Sequence, residues 1–253
     1  TSKTMMTGAA NYPMRSSVSV IIPAKNAAST IGASLRSLAA DRAVIGECLL
    51  VDDGSGDGTA DTAKVVAEEL DLSLTVIDAD YGNAGASRNA GMARAGGDFI
   101  FFLDADDEVV AGGLTALVEC LQSNPDAGVA AGGYVRRIGG QADKVRIPKE
   151  YSRNRAANAA RYLQNKLRTI QIGSALVRRT AHGKDRFPET LQYEEDVLFW
   201  SAFLTVNDVA VTSRLVMIYN VDEARSLDRF TASARTQFLN FSKELGKLKA
   251  FGI

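Results

Sequence analysis

The chain has 253 residues, 46% hydrophobic and 23% charged, with a formal net charge of -1. At this length one large domain or two small ones bury about 70–75% of the extended surface, so no staple is needed for a stable core. The near-neutral charge, without a clustered basic face, excludes an electrostatic footprint for nucleic acid, and no run reaches the ~18 apolar residues that span a bilayer.

Residues 1–16 contain Met5, Met6, Gly8 and Tyr12 but no apolar stretch of a secretory signal, and read as a flexible leader. Val18-Ser19-Val20-Ile21-Ile22 is a first strand, stopped by Pro23. Ile31, Leu35, Leu38 and Ala39 then recur at helical spacing. Cys48-Leu49-Leu50-Val51 is a second buried strand, ending in Asp52-Asp53-Gly54-Ser55-Gly56-Asp57-Gly58. Ala63, Val66, Ala67 and Leu70 make the next helix, and Leu74-Thr75-Val76-Ile77 a third strand. Gly85 to Ala95 is a small-residue helix. Residues 98–103 form a fourth strand, Leu114 to Leu121 a helix, and Gly128 to Arg136 a fifth strand loosened by its glycines.

The second half is less regular. Residues 137–150 are polar, Arg153 to Arg168 is a basic helix, and Ile172 to Val177 is a short strand. A loop from Gly183 to Leu191 leads into Tyr193-Glu194-Glu195-Asp196 and an apolar helix at 197–204. Val209 to Val211 and Leu215 to Tyr219 are two short strand-like pieces. Residues 232–251 form an amphipathic helix with Phe238, Leu239, Phe241, Leu245 and Leu248 opposite basic side chains. Such a helix packs on its own domain, leads into a further one, or makes peripheral membrane contact. Cys48 and Cys120 read as small core residues of a reducing compartment. With no spanning segment, the expected location is the cytoplasm.

Strands alternating with helices in ~25-residue units predict an α/β fold, a mostly parallel doubly wound sheet with helices on both faces. The expected organisation is a leader at 1–16, one domain at 17–230 with a nucleotide-binding half (17–135) and an acceptor and catalytic-base half (136–230), and a C-terminal helix at 231–253. In such sheets ligands bind outside the carboxyl ends of the strands. Pro23-Ala24-Lys25, Asp52-Asp53 and Asp104-Ala105-Asp106-Asp107 all fall there.

In an extended chain, residues two apart point the same way, about 6.5–7 Å apart along the backbone. Asp104 and Asp106 therefore converge, and like charges held together ask for a cation. Oxygen-only ligands suit Mg²⁺ or Mn²⁺; the competing reading is a turn whose acids cap the next helix. Asp107, on the other side of the strand, is given a turn or capping role. Asp52-Asp53 before Gly-Ser-Gly suits contact with a base or ribose. The glycine fingerprints of dinucleotide-binding folds and of P-loop enzymes are both absent, so hydride transfer and P-loop chemistry are poorly supported.

VSVIIPAKN at 18–26, VDDGSGDGT at 51–59, GNAGASRNAGMARAGGDFIFFLDADD at 82–107 and YEEDVLFW at 193–200 together resemble the family 2 glycosyltransferases with the GT-A fold. The resemblance runs over about residues 18–225. It implies metal-dependent transfer of a sugar, hexosyl or N-acetylhexosaminyl, from a nucleotide-diphosphate donor to an acceptor hydroxyl with inversion. A UDP-sugar is the first expectation for the donor, and a surface polysaccharide, glycolipid or glycan for the product. By the same resemblance Pro23 and Lys25 sit at the nucleotide edge, Asp53 bonds the base and Asp52 supports its turn. Arg88 lies beside the donor, Asp104 contacts ribose or sugar and joins Asp106 as a metal-ligand candidate, and Asp196 is the catalytic base.

Two features depart from the family pattern. Lys25 stands where relatives often carry an aromatic, and the Gln-x-x-Arg-Trp element of processive synthases is absent, which favours a single transfer per encounter. His182 reads as a surface loop residue. Two alternatives are a sugar nucleotidyltransferase, which would want a basic glycine-rich loop after the first strand, and a non-catalytic sugar-nucleotide-binding module.

Overall fold

The computed structural model describes residues 17–164, 170–183, 186–221 and 234–248. The leader at 1–16, the expected helical residues 165–168 and those of 232–251 beyond 234–248 lie outside the described residues. Four parallel strands, β1 (Val18–Ala24), β2 (Ile45–Asp53), β3 (Leu74–Ala79) and β4 (Phe99–Phe102), stand in the order β3-β2-β1-β4. Helices α1 (Ile31–Ser37), α2 (Thr59–Glu69) and α3 (Ala84–Arg94) connect them.

Because these strands are covered on both sides, their period-2 alternation feeds two cores. Val18, Val20, Ile22, Leu50, Phe99 and Phe101 pack with α1 and α2 residues such as Leu35 and Val66. Ile21, Leu49, Val51, Ile100 and Phe102 pack on the opposite face with Met92 of α3. Pro23 does not stop β1, which runs on to Ala24. Pairing of β1 with β4 ends at Ile21–Phe102, while Pro23 still pairs with Val51 of β2. A residue without an N–H is tolerated where the strand has a neighbour on one side only.

The remaining elements are β5 (Glu108–Val109), α4 (Gly113–Ser123), β6 (Ala127–Ile138), β7 (Gln141–Ala142), α5 (Arg155–Leu163), β8 (Ala175–Arg178), α6 (Glu195–Val206), β9 (Asp208–Val221) and α7 (Ala234–Leu248). They extend the same sheet to β3-β2-β1-β4-β8-β6-β9-β5. Strand β8 is antiparallel to both β4 and β6, and β9 is parallel to β6. The fold is α/β, with a mostly parallel sheet between helical layers.

Three local expectations are corrected. Residues 172–174 form a 3-10 turn, so the strand expected from Ile172 begins only at Ala175. Ser174 closes this turn: its hydroxyl accepts from the Gln171 N–H at 3.0 Å, and its own N–H donates to the Gln171 carbonyl. The two pieces expected at 209–219 are one continuous strand, with register shifts against β6 absorbing the polar stretch between them. The β6 glycines tighten that pairing, since a side chain at Gly132 would overlap Val216.

Helix α7 packs on its own domain through Phe241 and Leu245, which meet Leu191 and Leu198, whereas Leu239 is 58% exposed. The side chains of Phe238 and Leu248 lie outside the described residues. Among the described residues no helix is long and apolar enough to cross a membrane. Cys48 is buried, Cys120 is partly buried, and both are free thiols; burial pushes the Cys48 thiol up to about 12.

Candidate active site

The carboxyl ends of β1, β2, β4 and β9 open onto one cleft of about 480 Å³. Pro23, Lys25, Asp53, Arg88, Asp104, Asp106 and Asp196 all line it. Residues from four sequence segments are thus brought to one edge. Asp52 is not among the lining residues: it is buried and accepts the Ser55 N–H at 3.0 Å, so it holds the turn after β2.

Asp53 organises the first wall. Its carboxylate accepts the backbone N–H groups of Tyr81, Gly82 at 3.0 Å and Asn83 at 3.1 Å. Three amide donors on one buried carboxylate fix the loop entering α3. Asn83 then caps α3, accepting from the Ala86 N–H at 2.8 Å, and donates to the Leu191 carbonyl. Asn89, further along α3, donates to the Phe187 carbonyl and accepts its N–H, both at 2.9 Å. Helix α3 therefore holds the loop that carries the chain into α6.

Arg88 joins the two ends of the cleft. It is 4% exposed and places one guanidinium nitrogen 2.7 Å from Asp104 and another 2.7 Å from Glu195. Its guanidinium also lies 5.3 Å from the Phe187 ring centroid, and Phe187 stacks on Phe199 of α6 at 4.0 Å. A planar fork with divergent N–H groups can serve two carboxylates at once. The paired acids push the arginine further up from its already high pKa, against the opposing effect of burial.

The acid run after β4 departs from the extended geometry expected of it. The Asp107 N–H donates to the Asp104 carbonyl at 3.0 Å, which makes the stretch a turn, so strict alternation does not govern it. Asp104 and Asp106 still face the cleft, and so does Asp107, which the sequence reading had turned away. Asp107 is 1% exposed and accepts the Asn220 N–H at 2.8 Å, while its second oxygen is buried without a partner. Burial first, then Asp104 and Asp106, push its carboxyl well above the usual carboxylate range. Asn220, at the end of β9, also donates to the Asp106 carbonyl at 2.7 Å, stitching the acid turn to the second half of the chain.

This donor set fits a divalent ion held jointly with a ligand. Among the described residues no group of three or more His, Cys, Asp or Glu side chains could hold a metal. Mg²⁺ and its like are ordinarily bound by one or two carboxylates plus substrate phosphates, leaving little to a protein cage. Asp106 supplies such a carboxylate, the orphaned Asp107 oxygen lies in the same turn, and Asp104 is engaged on one oxygen by Arg88.

Opposite stand Glu195 and Asp196, in the first turn of α6. Glu194 before them takes a left-handed conformation, φ 63°, uncommon for a side chain other than glycine. The Asp196 carboxyl is pushed up to about 7, by burial first and by the charge of Glu195 second, while Arg88 pulls the other way. A carboxylate poised near neutrality in a cleft suits general-base work. Glu195 had no separate role in the sequence reading, and Asn83, Gln192, Tyr219 and Asn220 were missed as lining residues. A glutamate beside a candidate base was a usable signal for Glu195; nothing in the sequence marks the other four.

A family model described as "Glycosyl transferase family 2" matches residues 19–185. The poly(ribitol-phosphate) beta-N-acetylglucosaminyltransferase TarS of Staphylococcus aureus is 27% identical over 207 residues, 79% of this chain and 35% of that protein. The chain therefore spans about a third of the length of this relative. The UDP-Glc:alpha-D-GlcNAc-diphosphoundecaprenol beta-1,3-glucosyltransferase WfgD of Escherichia coli is 28% identical over 197 residues, 76% of this chain and 72% of that protein. The crystal structure of S. aureus TarS 1-349 in complex with UDP-GlcNAc superposes with a TM-score of 0.71 at 21% identity, covering 90% of this chain and 65% of that one. Glucosyl-3-phosphoglycerate synthase from Mycobacterium tuberculosis, in complex with Mn²⁺ and UDP, gives 0.62 at 19% identity, covering 91% and 80%. Both structural likenesses concern the fold, which is GT-A.

Proposed function

Since the chain belongs to glycosyltransferase family 2, we propose that it moves a hexosyl or N-acetylhexosaminyl group from a UDP-sugar to an acceptor hydroxyl, with inversion at the anomeric carbon. The observation that carries this reading is Arg88, which ties Asp104 on the donor side to Glu195 beside the candidate base across a single cleft. The relatives named for N-acetylglucosaminyl and glucosyl transfer support the sugar class, and their names support polysaccharide or lipid-linked glycan assembly.

In this reading residues 17–135 hold the nucleotide and 136–230 supply the base and the acceptor side. Pro23 and Lys25 bound the nucleotide edge. The Asp53 carboxylate keeps the 81–83 backbone in place beside it, with Asp52 fixing the adjoining turn. Asp106, with Asp104, would hold Mg²⁺ or Mn²⁺ against the diphosphate, and the bound ion supplies charge neutralisation on the leaving-group side. Arg88 orients Asp104 and Glu195. Asp196 takes the acceptor's proton as its oxygen attacks the face opposite the leaving diphosphate, so that one displacement inverts the centre. Its raised pKa makes it a base strong enough for this yet ionised at slightly alkaline pH.

The test is a UDP titration with and without Mn²⁺, alongside product analysis with UDP-glucose and UDP-N-acetylglucosamine. Metal-enhanced UDP binding that falls at least tenfold in Asp106→Ala, together with sugar release from one donor, is the expected result. Metal-independent binding unaffected by Asp106→Ala would contradict the assignment.

A further inference from the structure

The two peptide planes that flank Asp106 are each held by a side chain from a distant part of the chain. The Ala105 carbonyl accepts from the Ser34 hydroxyl of α1 at 2.9 Å, in a buried bond. The Asp106 carbonyl accepts from the Asn220 side-chain amide at 2.7 Å. A residue has only two soft backbone dihedrals, and these describe how its flanking planes are turned. Holding both planes therefore sets the direction in which Asp106 projects its carboxylate into the cleft. The residues after it are held as well. The Asp107 carboxylate accepts the Asn220 N–H at 2.8 Å, and Glu108 and Val109 pair with Ile218 and Met217 of β9.

Neither holding group follows from the elements alone. A helical serine commonly donates to a carbonyl of its own preceding turn; Ser34, 1% exposed, gives its proton to Ala105 instead. Asn220 is in turn oriented from β6. Its partner in the parallel register is Arg137, whose guanidinium donates to the Asn220 side-chain oxygen at 3.0 Å and also pairs with Glu108. The Asn220 amide donates to Glu108 as well, at 3.2 Å. Turning this amide over would set its oxygen against the Asp106 carbonyl and the Glu108 carboxylate, and its NH2 against a cation. An amide has two donors and one acceptor oxygen, and here all three neighbours select the same orientation.

We propose that Ser34 and Asn220 are positioning residues for Asp106, with Arg137 and Glu108 fixing the Asn220 amide, so that affinity for a divalent ion is set partly by groups outside its ligand set. This rests on the reading of Asp106 as a carboxylate that holds the ion against the diphosphate. An ion bound by one or two carboxylates and phosphate oxygens has few protein ligands, and a hard cation demands near-ideal geometry of each. The direction of a single carboxylate then governs affinity, and the groups that fix it act through it. Arg137 links this control to the pairing of β6 with β9, in the half of the chain that carries the candidate base.

The experiment is a Mn²⁺ titration of the full chain saturated with UDP, read from the EPR signal of the hydrated ion. Wild type, Ser34→Ala, Asn220→Ala, Arg137→Met and Arg137→Lys are compared, with Tm and metal-free UDP affinity measured on the same preparations. Mn²⁺ affinity should fall about tenfold in Ser34→Ala and Asn220→Ala, the lower end of what loss of an outer partner costs. Arg137→Met should lose less, and Arg137→Lys, which keeps a donor for both partners, should stay close to wild type. Metal-free UDP affinity should not change in any of them. In a transfer assay the KM for Mn²⁺ rises while kcat at saturating Mn²⁺ is kept, a split that general loosening of the fold does not give. Ser34→Ala and Arg137→Met carry the test if Asn220→Ala does not fold. Unchanged Mn²⁺ affinity in these two, or a loss matched by metal-free UDP affinity, overturns the proposal and leaves the transferase reading standing. A wild-type chain that binds UDP no better with Mn²⁺ overturns the metal reading itself, and this proposal with it.

Discussion

Replacing Arg88 with Met probes the link between the two ends of the cleft. The side chain is 4% exposed, and its loss strands Glu195, 12% exposed, and Asp104, 31% exposed. Removing one partner of a buried pair ordinarily costs about 3–5 kcal/mol, because a charge is left buried without compensation. Asp104 is close to a third exposed and water screens its share, so the lower end applies, about 3 kcal/mol including the contact with Phe187. For a domain of this size that amounts to a Tm lowered by roughly 6–12 °C. Arg88→Lys should cost about half, since an ammonium can follow one carboxylate but not fork to two. Combining Arg88→Met with Glu195→Leu should cost less than the sum, because the second change removes a stranded charge. Urea unfolding of wild type, Arg88→Met, Arg88→Lys, Glu195→Leu and the double variant at pH 8 measures all these differences. A loss below about 1 kcal/mol in Arg88→Met, or strict additivity in the double variant, would refute the bridging argument.

Other consequences follow from the same geometry. Glu195→Gln removes a charge that raises Asp196, so the acid limb of kcat/KM, expected near 7 in the wild type, should move to lower pH; an unmoved limb in the pH profile would count against coupling of the pair. Asp196 is costly to ionise in the folded state, so Asp196→Asn should be more stable than wild type at pH 8. That advantage should shrink as pH falls from about 7 towards the unfolded pKa near 4, where both states are protonated; a Tm difference independent of pH would contradict the raised pKa. Gly91→Ala drives a methyl group into Ile21 beneath α3, which should cost roughly 1–3 kcal/mol in urea unfolding, and a neutral effect would mean α3 can lift from the sheet.

Much of the fold was legible because its signals are local. Runs such as Phe99 to Leu103 and Cys48 to Val51 have no partner but a buried strand, and their spacing from the helices between them implies parallel order. The strand ends then locate the cleft, and seven of the eight candidate residues line it. The failures arise where geometry is set by tertiary contact. Asp107 was misjudged because the chain leaves the extended conformation after Phe102, so a period of two no longer applies. Asn220 matters only because β9, paired in parallel with β6, ends at the cleft, a pairing no local pattern announces. Ile172 to Ser174 read as strand by composition, but the Gln171 and Ser174 hydrogen bonds close a turn there.

The division of labour between donor-side acids and a base on α6 is tested most directly in Asp196→Asn, by measuring UDP affinity and sugar transfer in the same preparation with Mn²⁺ present. The account predicts UDP affinity within twofold of wild type and transfer reduced by at least a hundredfold, as loss of a positioned general base costs about 10²–10⁴ in rate. Transfer at the wild-type rate in that variant would contradict it.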